Sequence, residues 1–151
     1  VATITAFTVA HSITLAAATL GHIPVPQQPV EAVIALSIVF LAVEFMHGRR
    51  GRTGAAARWP WLVAFAFGLL HGLGFAGALS EIGLPQHAIP LALVFFNVGV
   101  EIGQLAIIGV AYLLVGLWFG EKPYYRRLVV IPGSLLISLV GLYWAWERLS
   151  F

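Results

Sequence analysis

The chain of 151 residues contains no cysteine, a single methionine and few charged residues. Without cysteine it can form no disulfide and no thiolate metal site, so cysteine usage does not reveal its redox compartment. Charged side chains make up only 9% of the residues and hydrophobic ones 60%, whereas a soluble domain carries about a quarter charged residues. This composition excludes an ordinary soluble domain and predicts a helical membrane protein whose apolar surface faces lipid.

Five apolar stretches are separated by charged or proline-containing segments. They cover residues 1–20, 30 to about 47, 59–80, 90–119 and 128 to about 146. A helix needs roughly 20 apolar residues to cross a bilayer, and proline does not continue a helix through the intervening segments. The sequence predicts an all-α fold in one polytopic transmembrane domain, residues 1–151, with about five spans. The fourth span is the longest, and we expect a kink or break near its glycines at 99–103.

The cations indicate an orientation in the membrane. Seven of the eight Lys and Arg residues fall within residues 48–58 and 120–127. Two spans lie between these loops, so both loops fall on the same side of the membrane, and the excess of positive charge predicts that this side is cytoplasmic. The formal net charge of +2 does not predict a nucleic-acid partner, because it comes from these short loops. The expected partners are the lipid bilayer and a small ligand inside the bundle.

Three polar residues interrupt the longest apolar stretch in the segment NVGVEIGQ. Asn97, Glu101 and Gln104 are spaced i, i+4 and i+7, so on a helix they line one stripe about 10 Å long. An ionisable residue at this depth is costly and should face a partner, a cavity or a bound cation. The stripe predicts an intramembrane site.

Two histidines lie at a depth similar to that of Glu101. Counted from the ends of their spans at 1.5 Å per residue, His11, His71 and Glu101 all lie roughly 15 Å from the outer surface. Imidazole, carboxylate and amide oxygen together suit a borderline divalent cation such as nickel, cobalt or zinc. We therefore predict His11, His71, Glu101 and Asn97 as metal ligands, with Gln104 further along the path. The alternative is an internal hydrogen-bonded network or simple helix packing.

Further polar and small residues have weaker predicted roles. Ser37 and Glu44 share one face of the second span and are predicted pathway residues, although Glu44 also suits an interfacial carboxylate paired with loop arginines. Two small-xxx-small pairs flank the proposed ligands, and this spacing lets helix backbones approach closely. These predicted helix-packing glycines are Gly68 and Gly72 beside His71, and Gly99 and Gly103 beside Glu101.

Four segments of the chain resemble one family of membrane proteins. They are FTVAHSITLA (7–16), VEAVIALSIVFLAVE (30–44), FGLLHGLGFAGAL (67–79) and FNVGVEIGQLA (96–106). In this order they are similar to the membrane domain of the HupE/UreJ family, bacterial proteins associated with nickel or cobalt uptake for hydrogenase and urease. The resemblance implies a multi-pass protein of the bacterial inner membrane in which His11, His71 and Glu101 are functional.

The chain departs from this family at its beginning. Members usually carry one more helix upstream, with a histidine and an Asp-His pair thought to be metal ligands. The resemblance therefore implies six spans in the complete domain and a site that is only partly contained in these residues.

The expected function is a permease that moves nickel or cobalt inward past Asn97, Glu101 and Gln104. Two other hypotheses remain open from the sequence. The first is a structural or cofactor-binding subunit, for example with haem, that packs on other membrane subunits or on a second copy. The second is an intramembrane metal-dependent hydrolase with a catalytic zinc, although the sequence shows no nucleophile motif. Whether it is an enzyme is left open.

Overall fold

The computed structural model describes residues 2–47, 54–81, 83 and 85–150. Arg49, Arg50 and Arg52, on which part of the predicted orientation depends, lie outside this range. The helices are α1 (Ala2–Thr19), α2 (Gln27–His47), the short α3 (Ala55–Arg58), α4 (Pro60–Glu81), α5 (Ile89–Ala111), α6 (Leu117–Phe119) and α7 (Ile131–Ser150). A 3-10 turn, Gln86–Ala88, precedes α5.

Five helical segments are long and apolar enough to cross a membrane. They are Ala2–Thr19, Gln27–Met46, Pro60–Leu79, Ile89–Phe119 and Arg126–Ser150. The predicted all-α class and the five spans are confirmed. The span boundaries agree with the apolar stretches to within a few residues because lipid-facing length sets both.

The helices pack in the spatial order α5, α1, α4, α2, α7. The closest packing joins α1 to α4 and α2 to α7, while α2 also contacts α4 and α5 packs mainly on α1. The α1–α4 pair is therefore the centre of the bundle, and α5 and α7 form its two edges.

Two glycines explain why α1 and α4 approach so closely. A Cβ added to Gly68 would meet the carbonyl oxygen of Phe7, and one added to Gly72 would meet the carbonyl oxygen of His11 and the hydroxyl of Thr14. Both contacts involve backbone atoms of α1, which cannot move aside as a flexible side chain does. The two helices are in backbone contact along this line.

The second glycine pair behaves differently. A Cβ at Gly99 or Gly103 would meet no atom within 4 Å in the part of the chain that the structure describes. The sequence predicted the same packing role for all four glycines, but among the described residues only the α4 pair of these four faces another helix.

Two π-helical turns interrupt the last two spans. Leu117 donates its N–H to Tyr112 O at the end of the turn Tyr112–Gly116, and Ile131 donates to Arg126 O at the end of the turn Arg126–Val130. Pro132 follows the second turn and has no N–H to continue the regular ladder. The expected break near Gly99 is wrong, because α5 runs unbroken from Ile89 to Ala111.

The end of α2 and the segment before α7 meet at one end of the bundle. Arg126 Nη2 donates to the carbonyl of Met46 at the end of α2, with an N···O distance of 2.6 Å. We call this end, which carries residues 54–58 and 120–127, the arginine end. At the opposite end, Arg148 of α7 forms an ion pair with Glu31 of α2.

Glu44 has a structural role at the arginine end. Its two carboxylate oxygens accept hydrogen bonds from the backbone N–H groups of Ala55 (2.8 Å) and Ala56 (2.7 Å). The carboxylate thus caps the first turn of α3, where free N–H groups and the helix dipole favour negative charge. Neither of these bonds is to a loop arginine.

Removing this cap should loosen the loop. For Glu44→Ala we expect a loss of about 0.5–2 kcal/mol of local stability and faster trypsin cleavage after Arg58. Glu31→Ala, which removes a carboxylate at the opposite end, is the matched control and should leave this cleavage rate unchanged. Equal cleavage in Glu44→Ala and wild type would contradict the capping role. A loss of metal uptake with an intact loop would instead support the predicted pathway role.

Candidate intramembrane site

His11 lies at the centre of the bundle. It is 1% exposed and, with Leu15, is one of the two largest fully buried side chains among the described residues. On α5 the buried positions are Ile89, Leu93 and Asn97, spaced by four residues, so they form one stripe on the helix. This stripe turns Asn97 toward α1.

The central polar contact joins these two helices. Asn97 Oδ1 lies 2.9 Å from His11 Nδ1, and Asn97 Nδ2 donates to the carbonyl of Leu93 at 2.8 Å. Because a carbonyl can only accept, the amide nitrogen must point to Leu93 and the amide oxygen to His11. His11 Nδ1 is therefore the donor, and in the neutral imidazole the proton is absent from Nε2.

His11 Nε2 is buried and has no hydrogen-bond partner among the described residues. In the tautomer set by Asn97 this atom is an acceptor with a free lone pair. A buried acceptor without a partner costs about 1–3 kcal/mol. The atom is therefore available to a cation or to another donor.

His71 on α4 is oriented in the same way. Its Nδ1 lies 2.7 Å from the carbonyl oxygen of Phe67, one turn earlier on the helix. Since that oxygen can only accept, Nδ1 donates and Nε2 carries the lone pair in the neutral ring. Both histidines thus keep Nε2 as the atom that can bind a cation, and each has its other nitrogen held by a fixed acceptor, as ligating histidines usually do.

Three phenylalanine rings surround the histidines. Phe7 contacts both imidazoles, with ring centroids 5.9 Å from His11 and 5.3 Å from His71. Phe75 lies 5.6 Å from His11 and Phe96 5.9 Å from it. These rings were not among the residues predicted from the sequence. Phe7 nevertheless precedes His11 by four residues and Phe75 follows His71 by four, a spacing that puts each ring one helical turn from an imidazole.

Glu101 has a different partner. Its Oε1 accepts a hydrogen bond from Thr5 Oγ1 at 3.2 Å. Thr5 precedes His11 by six residues, about 9 Å along α1 toward the arginine end. In the described part of the chain, no three His, Cys, Asp or Glu side chains gather closely enough to hold a metal. The structure brings His11 together with Asn97, and the role of Glu101 as a ligand stays a prediction.

Of the predicted pathway residues, Gln104 and Ser37 lie apart from the histidines. Gln104 Oε1 is buried without a partner among the described residues, and its side chain lines a cleft toward the arginine end. Ser37 is buried, and its hydroxyl donates to the carbonyl of Ile34 in its own helix at 2.6 Å. Gln104 thus presents an unpaired oxygen beside a largely apolar cleft, whereas the Ser37 bond is a local one within α2.

The chain matches a known protein family over nearly its whole length. A model described as HupE / UreJ protein matches residues 1–148. The chain belongs to the HupE/UreJ family. Membership relates this membrane protein to nickel and cobalt handling. Comparisons with curated proteins and with solved structures gave no significant match.

Proposed function

We propose that this member of the HupE/UreJ family is a nickel or cobalt permease in which His11 and His71 bind the ion inside the membrane. The observation that carries the proposal is the free Nε2 of His11, which is buried without a partner in the described structure and whose lone pair is fixed by Asn97. A divalent cation is the kind of ligand that an unprotonated imidazole nitrogen binds.

The donor set supports the choice of metal. Imidazole favours nickel, cobalt and zinc over calcium or magnesium. Two imidazoles without any thiolate should also hold the ion less firmly than a closed structural site does. Rapid exchange is what a transported ion requires. The remaining coordination positions are left for water or for donors outside the described residues.

The further polar groups suggest a direction of movement. From the histidines toward the arginine end, the bundle carries Glu101 with Thr5 and then Gln104 with its unpaired oxygen. If the arginine loops are cytoplasmic, as the positive-inside rule indicates, these groups continue the path inward. We propose inward transport across the bacterial inner membrane.

Uptake of radioactive nickel and cobalt by cells that express the full-length protein tests this function. Wild type should accumulate metal above the empty-vector background, and His11→Ala and His71→Ala should each lower uptake by about tenfold or more, as expected for loss of a ligand. The matched controls are His22→Ala and His87→Ala, since both histidines are exposed and lie outside the five spans. Uptake at background in wild type would reject the proposal, and so would His11 and His71 variants that transport normally.

Metal analysis and a visible absorption spectrum of the purified protein separate the alternatives. We expect nickel or cobalt to be retained in substoichiometric or stoichiometric amounts and no haem absorption. A haem spectrum would indicate the cofactor-binding subunit instead. Zinc bound together with hydrolysis of a lipid or peptide bond would indicate the hydrolase.

A further inference from the structure

An outer cleft opens at the end of the bundle opposite the arginine loops. It has a volume of about 340 Å³ and lies between α2, α4 and α7. The ion-paired residues Glu31 and Arg148 stand at its mouth, and the ring of Phe75 forms part of its wall. The same ring also makes a T-shaped contact with His11, with centroids 5.6 Å apart. Phe75 therefore separates the outer cleft from the buried imidazole.

An inner cleft opens toward the arginine end. It has a volume of about 290 Å³ and lies between α1, α4 and α5, with Ala64 and Gln104 in its wall. Phe7 also lines this cleft and contacts both His11 and His71. A second phenylalanine thus separates the inner cleft from the same pair of imidazoles.

We propose that Phe75 and Phe7 are the outer and inner gates of the histidine site. Because His11 is 1% exposed, a hydrated cation in either cleft reaches its Nε2 only when one of the surrounding rings moves. Rotation of Phe75 admits the ion from the outer cleft, and rotation of Phe7 releases it to the inner cleft. This inference rests on the proposed transport function and adds to it the two residues that control access.

The physical properties of the two rings suit this role. A phenylalanine side chain makes no strong hydrogen bond, so its rotation breaks no polar contact, and an apolar constriction blocks ions by excluding water. Phe75 is 45% exposed, which leaves room on its cleft side. The face of each ring can also attract a passing cation. Two separate gates allow the site to open to one side at a time, as alternating access requires.

The absence of cysteine makes the gates directly testable by cysteine labelling. His11→Cys places a reporter behind Phe75, and a membrane-impermeant cationic thiol reagent is applied from the outer side of intact cells. We expect Phe75→Ala to raise the labelling rate by about tenfold, because removing a gating side chain exposes the site to water. His71→Cys with Phe7→Ala should show the same increase in inside-out vesicles.

A matched substitution controls for general loosening of the bundle. Phe40 is 43% exposed and contacts Phe67, and it lines neither cleft. Phe40→Ala should leave both labelling rates unchanged. Size-exclusion profiles show whether each variant is folded. Where an alanine variant fails to fold, Phe75→Leu or Phe7→Leu, which keeps an apolar side chain, replaces it in the labelling experiment.

The outcomes separate the gates from the transport function. Labelling rates that do not change in folded Phe75 and Phe7 variants would overturn the gate proposal even if wild type transports nickel. An equal increase in Phe40→Ala would also overturn it. Labelling that increases only in the Phe75 and Phe7 variants would support the gates, and it would do so even if wild type failed to take up metal and the permease function were rejected.

Discussion

Gly72→Ala is expected to destabilise the bundle by about 1–3 kcal/mol, the usual cost of forcing extra atoms into a packed interior. The new Cβ would overlap the carbonyl oxygen of His11 and lie 2.9 Å from the backbone nitrogen of Leu15. Both are main-chain atoms of α1, so α1 and α4 must separate to accept the methyl group. The midpoint of unfolding in a denaturing detergent measures the effect, and the yield of monodisperse protein should fall with it.

Gly109→Ala is the matched control for this prediction. Gly109 also lies within a membrane-spanning helix, but a Cβ there would meet no atom within 4 Å in the described structure. Alanine is favoured over glycine in a helix by roughly 0.5–1 kcal/mol. The two substitutions should therefore shift the midpoint in opposite directions. If Gly72→Ala were as stable as Gly109→Ala, the close approach of α1 and α4 would be disproved.

Asn97→Leu should reduce nickel uptake by about 10- to 100-fold, the usual cost of losing the partner that orients a ligating histidine. Leucine has nearly the size of asparagine but cannot accept the hydrogen bond from His11 Nδ1. Without this acceptor the imidazole can rotate or protonate Nε2 instead, and the lone pair that binds the ion is lost. The substitution also removes the bond to the Leu93 carbonyl, which already has its helical partner.

Conservative replacements distinguish a positioning role from a purely structural one. Asn97→Asp keeps an oxygen acceptor beside His11, so uptake should recover to within a few-fold of wild type. The apparent KM for nickel should rise in Asn97→Leu and return toward the wild-type value in Asn97→Asp. If Asn97→Leu is folded and transports normally, Asn97 does not position the histidine. If folded Asn97→Asp is as impaired as Asn97→Leu, the loss of an acceptor for Nδ1 does not explain the effect of Asn97→Leu.

The number and approximate limits of the spans followed from the sequence because lipid allows few structures other than helices of a fixed length. The depths of His11, His71 and Glu101 were predicted from a similar count, since each residue advances a helix by 1.5 Å. Span limits and residue depths are properties of a single helix. They can be predicted without knowing which helices are neighbours.

The contacts between helices did not follow in the same way. Asn97 and Glu101 share one stripe of α5, yet one reaches His11 and the other Thr5, because the crossing of α5 and α1 decides which residues meet. The glycine pairs show the same limit. Small residues permit a close approach but do not determine which helix approaches. A Cβ at Gly68 or Gly72 would meet α1, whereas one at Gly99 or Gly103 would meet nothing within 4 Å in the described part of the chain.

The position of α5 at the edge of the bundle has a mechanical consequence. Its buried residues, Ile89, Leu93 and Asn97, all lie in the half away from the arginine end, and its main neighbour is α1. The other half contributes the hydrogen bond between Glu101 and Thr5 but no buried residue, so we expect a tilt of that half to cost little free energy. Because the glycines hold α1 and α4 in close contact, we expect a tilt of α5 to pivot about the bond between Asn97 and His11. A cation that binds to His11 would lie at this pivot. A small displacement of α5 at the site would then become a larger displacement of α5 at the arginine end.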